Sequence, residues 1–307
     1  MIPARSFRAI TVHQLDPLAA RAGITGDQLL ELRAVATVLP FRTNSYVVDE
    51  LVDWTAAPDD PIFRLTFPQA GMLSRADLAH MVDLLRRDAP PTEVRQAAHK
   101  IRMRLNPHPD GQVGLNTPIL GDRPVEGLQH KYAETVLVFP RKCQTCHAYC
   151  TYCFRWPQFV GEPELRIATD DIQALRSYLL AHPEVTSVLI TGGDPMVMSA
   201  AALASYIEPL LGIESVESVR IGTKAISYWP HRFVTDQDST DMLGLFERVT
   251  RAGKHLALMA HFSHPRELEP AAAREAIRLI QDTGAVVRCQ APLIRGINDD
   301  PAVWIEM

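Results

Sequence analysis

Beyond residue 134 the chain repeats two alternating textures, and this repeat restricts the fold more than any other feature. Short β-branched runs at Thr135–Phe139, Ser187–Ile190, Ser218–Ile221, Leu256–Met259 and Val286–Gln290 alternate with amphipathic segments at Asp170–Ala181, Ala200–Leu211, Thr240–Ala252 and Ala271–Asp282. Short apolar runs of this kind read as buried strands, and the longer stretches, apolar at every third or fourth position, read as helices. Thr169, Ser199 and Ser239 stand where N-caps are expected, since a hydroxyl there accepts from an amide the helix leaves unpaired. Strands alternating with helices imply right-handed crossovers and a parallel sheet. The predicted fold class is α/β, with five strands curved as a partial (β/α) barrel over residues 128–307. In such barrels the chemistry gathers at the carboxyl ends of the strands.

Residues 1–127 have another texture. Ser74 opens a helix with Leu78, Met81, Val82 and Leu85 on one face, and Asp77 completes a capping box. Pro91 opens a second helix through Val94, Ala97, Ala98, Ile101 and Leu105. Residues 106–127 are dense in Pro, Gly, Asn and Asp and read as an irregular linker. A mainly helical N-terminal region is therefore expected ahead of the barrel.

The first barrel strand runs into Arg141-Lys-Cys-Gln-Thr-Cys-His-Ala-Tyr-Cys-Thr-Tyr-Cys-Phe-Arg155, where Cys146, Cys150 and Cys153 form a CxxxCxxC triplet. Three thiolates on one short loop can hold three irons of a 4Fe–4S cube and leave the fourth open to a small molecule. Open coordination marks a reactive metal rather than a structural one. With Cys143 the loop also reads C-x2-C-x3-C-x2-C. Zinc modules set their two CxxC pairs about a dozen or more residues apart, which this spacing does not allow. A ferredoxin-type cluster on all four cysteines stays open as an alternative. Cys143 is expected to be a spare thiol and Cys289 a buried strand residue.

Other motifs follow the later strands. The second strand leads into Thr191-Gly-Gly-Asp-Pro195, where Gly192 and Gly193 let a ligand approach the backbone and Asp194 supplies a carboxylate. Alone, that tripeptide is also an ordinary turn. Later strands lead into Arg220-Ile-Gly-Thr-Lys224, His261-Phe-Ser-His-Pro265 and Pro292-Leu-Ile-Arg-Gly-Ile-Asn-Asp299. His261 and His264 have no third ligand nearby in sequence, so hydrogen bonds at the barrel mouth are expected in preference to a metal. A net charge of −5 with both signs interspersed presents no broad basic face to nucleic acid. The first ten residues lack the apolar core of a signal peptide, and no apolar run approaches the roughly 20 residues of a membrane span. With unpaired cysteines, these features predict a cytoplasmic protein.

Taken together, Asp60-Pro-Ile-Phe-Arg64, Gly127-Leu-Gln-His-Lys-Tyr132, the cysteine loop, Gly-Gly-Asp194, Arg220-Ile-Gly-Thr, His261-Phe-Ser-His-Pro and Arg295-Gly-Ile-Asn-Asp299 resemble the lysine 2,3-aminomutase family of radical S-adenosylmethionine (SAM) enzymes. The resemblance runs from about residue 45 to the end, and it implies a radical SAM type of partial barrel. It also implies a reduced 4Fe–4S cluster on Cys146, Cys150 and Cys153 that binds SAM and cleaves it to a 5′-deoxyadenosyl radical. The electron would come from an external flavodoxin- or ferredoxin-type reductant. The radical takes hydrogen from an amino acid held on pyridoxal phosphate (PLP), and the amino group moves from the α- to the β-carbon. By position, Gly192, Gly193 and Asp194 match the motif that meets the amino group of SAM, and Arg155 matches the arginine that pairs with the substrate carboxylate. Asp299 matches a carboxylate that receives a side-chain ammonium; its alternative is a helix N-cap before Pro301.

Two departures accompany the resemblance. The family's His-Arg-Tyr-x-x-Arg pattern, which puts basic residues near PLP, reads His130-Lys-Tyr-Ala-Glu-Thr135, so Lys131 and Thr135 replace its arginines. The glycine-rich segment that carries the PLP lysine would follow Asp299, but only eight residues do. None of Lys100, Lys131, Lys142, Lys224 and Lys254 lies in a comparable context. The strand count is also one short of the family core. The sequence is therefore read as a truncated form whose last βα unit is missing. That would leave Trp304 and Ile305 uncovered and an open sheet edge suited to self-association as a homo-oligomer. Three readings follow: an amino-acid 2,3-aminomutase, a radical SAM enzyme without PLP acting on another small substrate or a peptide, and a non-catalytic 4Fe–4S electron-transfer protein. Lysine, glutamate, arginine and a lysyl side chain all remain open as substrates, with Asp299 favouring a cation.

Overall fold

The structure, a computed structural model, describes residues 2–307, Asp110 by its backbone alone, and it divides into two compact units. The helical unit comprises Phe7–Pro107 and His147–Glu162. It begins with an antiparallel strand pair, β1 (Ala9–Thr11) with β2 (Arg42–Asn44). Its helices are α1 (Leu15–Arg21), α2 (Gly26–Val38), α3 (Pro61–Thr66), α4 (Arg75–Arg86) and α5 (Pro91–Arg104). Val35, Val38, Met81, Leu84, Ala98 and Ile101 on α2, α4 and α5 meet in one buried cluster.

Helix starts in this unit follow from the sequence. The Ser74 hydroxyl accepts the Asp77 amide at 3.1 Å and gives its own proton to the Asp77 carboxylate at 2.8 Å, so α4 begins where expected. Asp60 accepts the Phe63 amide at 2.8 Å and starts α3. That places Phe63 and Phe67 to stack with ring centroids 4.3 Å apart. Residues 147–162 belong to this unit. Backbone amides of Tyr149 and Thr151 donate to Arg42 O and Leu65 O at 2.8 and 2.9 Å.

The sheet unit comprises residues up to Ser6, His108–Cys146 and Pro163–Met307. A two-residue hairpin, β3 (Ile119–Leu120) with β4 (Arg123–Pro124), lies within the stretch read as a linker. The main sheet contains β5 (Leu128–Tyr132), β6 (Thr135–Val138), β7 (Ser187–Ile190), β8 (Ser218–Thr223), β9 (His255–His261) and β10 (Val286–Gln290). Its spatial order is β10-β9-β8-β7-β6-β5, parallel throughout except for the antiparallel β5–β6 pair. The crossovers carry α6 (Ile172–Ala181), α7 (Ala200–Leu211), the short α8 (Ala225–Tyr228) and α9 (His231–Val234), α10 (Ser239–Arg251) and α11 (Ala271–Asp282); α12 (Pro301–Glu306) follows β10.

Register explains the core. Val136, Val188, Val219 and Leu256 form one row across four strands, and Val138, Ile190, Ile221 and Leu258 the next. Both rows are buried with Leu179, Ile207, Phe246 and Ile280 from the crossover helices. Each such side chain contributes about 1.5–3 kcal/mol on burial. The alternate positions face away from the helices. The sheet is open among the described residues, with β5 and β10 as its edges, so a mixed α/β unit with five parallel strands is seen rather than a closed barrel.

Some expectations are corrected. Thr169 is not the cap of α6, because its backbone bridges the Pro140 segment; Asp171 caps instead, accepting the Ala174 amide at 2.8 Å. Ser239 is the first residue of α10, after Asp238. Cys289 is exposed rather than buried, since β10 has a neighbour on one side only. Ile305 is 87% exposed. None of the described helices is long and apolar enough to cross a membrane.

Candidate functional site

The loop after β6 is stitched onto the loop after β7. The amides of Gly193 and Asp194 donate to Cys143 O and Thr145 O at 3.1 and 2.8 Å. A Cβ on Gly193 would lie 2.2 Å from Thr145 O, so only glycine admits this approach. Gly192 has φ +131°, and a Cβ there would lie 2.7 Å from Gln144 Nε2. Gly193 thus makes room for the cysteine-loop backbone that leads to Cys146, and Gly192 for the Gln144 side chain. The Cys143 thiol is buried and donates to Pro140 O and Thr191 O at 3.3 and 3.4 Å.

Asp194 is buried, with its carboxylate turned into the protein. One oxygen accepts from the Thr223 hydroxyl at 2.7 Å and the Met196 amide at 2.9 Å; the other accepts the Lys224 amide at 2.9 Å. Burial raises its pKa, opposed by those hydrogen bonds. Asp194 therefore ties the ends of β7 and β8 together.

The Lys224 side chain enters a network that local spacing does not announce. Its ammonium meets the Glu267 carboxylate at 2.9 Å, with 10% and 0% of the two side chains exposed. Glu267 also accepts from the Ser227 hydroxyl at 2.6 Å. Gln290 donates to His261 Nε2 at 2.7 Å, and the His261 pKa is lowered to about 4 by burial and by the Lys224 charge. His264 Nδ1 accepts the Arg266 amide at 3.3 Å.

Cys150, Cys153 and Arg155 are grouped in the helical unit. Bonds from Tyr149 and Thr151 bracket Cys150, and the Cys153 amide donates to Cys150 O at 3.1 Å. Burial, and then the neighbouring Cys150, push the Cys153 thiol up to about 12, while the Arg155 amide and guanidinium pull the other way. A thiol so placed keeps its proton until a metal displaces it. The Arg155 guanidinium lies 4.9 Å over the Phe154 ring. Lys131 sits elsewhere, exposed at a bulge of β5 beside the amino end of β6. Asp299 closes its own turn, accepting the Gly296 amide at 2.8 Å, and Asp300 caps α12.

Cys146, Cys150 and Cys153 are each half-buried and none is in a disulfide. Three soft donors within eight residues of chain suit an iron–sulfur cluster. The lysines do not suit a PLP linkage. Lys224 is held by Glu267, Lys254 donates to Ile213 O at 2.9 Å, and Lys100, Lys131 and Lys142 are exposed.

No family model matches the chain. A protein of Aquifex aeolicus named "Putative L-lysine 2,3-aminomutase" is 32% identical over 281 residues, 90% of this chain and 62% of that protein. The L-lysine 2,3-aminomutase of Clostridium subterminale is 30% identical over 237 residues, covering 76% of this chain and 53% of the relative. That of Fusobacterium nucleatum is 33% identical over 182 residues, 59% and 40% of the two chains. The chain is similar to lysine 2,3-aminomutases. It spans under two thirds of the length of these relatives.

Proposed function

We propose that these residues form the core of a radical SAM enzyme of the lysine 2,3-aminomutase type, an isomerase acting on an amino acid. One observation carries the reading: the CxxxCxxC triplet leaves the carboxyl end of a parallel strand on a loop docked by the Gly193 and Asp194 amides. Cys146, Cys150 and Cys153 would hold the 4Fe–4S cluster, which when bound with SAM supplies a 5′-deoxyadenosyl radical. A small external reductant would provide the electron. In this reading Cys143, whose buried thiol lies against Pro140 O and Thr191 O, stands outside the ligand set. Arg155 presents a guanidinium fork suited to an amino-acid carboxylate. Asp194 keeps the glycine turn in register with β8 through Thr223 and the Lys224 amide.

The alternative is radical SAM chemistry without PLP, on another small substrate or a peptide. Anaerobic reconstitution with iron and sulfide, then SAM and dithionite, tests both. Formation of 5′-deoxyadenosine supports the radical SAM assignment, and a PLP-dependent visible band supports the aminomutase. A full cluster that yields no deoxyadenosine would mean an inactive core or a cluster used only for electron transfer.

A further inference from the structure

The face of the sheet turned away from the helices has a polar row of its own. Register sets Thr135, Ser187, Ser218 and His255 side by side at the amino ends of β6, β7, β8 and β9. Further along that face come Arg220 on β8 and Arg288 on β10, the latter opposite Met259. A cavity of about 370 Å³ opens among Ser187, Ser218, Arg220, His255, Met259 and Arg288. This is within the range of small-molecule sites, about 300–1,000 Å³. It lies toward the opposite end of the strands from the cysteine loop and has no carboxylate in its lining.

Arg220 is not satisfied by its neighbours. Nη2 donates to the Thr135 hydroxyl at 2.9 Å, but Nε is buried without an acceptor, and the Ser187 hydroxyl nearby is also buried without a partner. Buried donors without acceptors are rare in folded proteins because they lose water and gain nothing. An inward-facing charge on an edge strand discourages strand addition, which accounts for Arg288. It does not account for Arg220, which lies two strands in from that edge.

We propose that this cavity binds a phosphate-class anion, either free phosphate or the phosphate end of a larger ligand, between Arg220 and Arg288. Two guanidiniums from strands on either side of β9 can each give paired N–H donors to phosphate oxygens. Ser187, Ser218 and His255 supply further donors, and Met259 forms an apolar wall. The proposal does not depend on the cluster or on the radical chemistry.

The test is equilibrium dialysis of the full chain against radiolabelled inorganic phosphate at fixed ionic strength. The expected result is one saturable phosphate per chain, weakened about tenfold or more by Arg288→Ala and by Arg220→Met. Arg176→Ala, on the exposed side of α6, should leave binding unchanged. Should Arg220→Met lose its fold by circular dichroism, the exposed Arg288→Ala variant decides alone. Absence of saturable binding, or equal binding by Arg288→Ala, overturns the proposal. Displacement of the label by PLP but not by pyridoxal supports the site with a cofactor phosphate as its ligand. Displacement by neither supports it with free phosphate, and displacement by pyridoxal as well as PLP overturns it, because phosphate would then not be the group recognised.

Discussion

A methyl group at Gly193 would lie 2.2 Å from Thr145 O and 2.3 Å from Cys143 O, and both atoms are backbone. Gly193→Ala is therefore expected to lower stability by about 2–4 kcal/mol, measured by urea unfolding; a change below about 0.5 kcal/mol would show that the loop yields freely. The Lys224–Glu267 pair tests burial of charge. Removing one partner leaves the other uncompensated, so Glu267→Gln should cost about 3–5 kcal/mol. Adding Lys224→Met to it should recover part of that loss; a double variant that is worse than either single one would refute the pairing. His261 sets a pH dependence. Its pKa of about 4 in the folded protein lies below the ordinary 6.5, so the unfolded chain takes up this proton first as pH falls. The associated stability is fully present above about pH 6.5 and is lost toward pH 4, at most about 3 kcal/mol. His261→Asn should then lose less stability than the parent chain between pH 7 and 4.5; parallel losses would mean that the imidazole titrates normally.

The elements show where local pattern suffices. Ala200–Leu211 and Ala271–Asp282 form helices over the residues their periodicity marks, because each places a continuous apolar stripe on the sheet. β5 is not marked by local pattern, because Leu-Gln-His-Lys-Tyr has no strand alternation; pairing with β6 at the sheet edge, with a bulge at Lys131, makes it a strand. Helix ends depend on distant groups too. Arg102 on α5 donates through Nε to Val38 O at 2.6 Å and through Nη2 to Thr37 O at 2.9 Å, capping α2, while Nη1 meets Glu162 at 2.6 Å. Arg102→Met should cost about 1–3 kcal/mol and raise amide exchange over the last turn of α2 and the residues after it. Unchanged protection there would show that water replaces the guanidinium at no cost.

At the scale of the whole chain, the cysteine loop passes from the sheet unit to the helical unit between Cys146 and His147. Each unit anchors its own part: the Gly193 and Asp194 amides hold residues 143–145, and Arg42 and Leu65 hold residues 149–151. The proposed function therefore predicts different outcomes for neighbouring thiols. After anaerobic reconstitution, Cys146→Ser, Cys150→Ser and Cys153→Ser should each lose most bound iron and the reduced-cluster paramagnetic signal. Cys143→Ala should keep both. Loss of iron in Cys143→Ala at unchanged fold would point to a four-cysteine, ferredoxin-like cluster.

The strand and helix repeat, the cysteine triplet and the glycine turn were all legible in the residues, because each is a pattern over a few neighbouring positions. Hydrophobic periodicity dictates which face is buried, and ligand spacing along one loop limits which metal it can serve. The partners of Asp194 were not legible, since Thr223 and Lys224 come from the next strand and the turn after it. Lys224 with Glu267, 43 residues apart, and Arg220 with Thr135, 85 apart, meet only because strand register and loop packing set them together. Such contacts join groups with no local spacing to betray them, so partnership, burial and pKa belong to the folded chain.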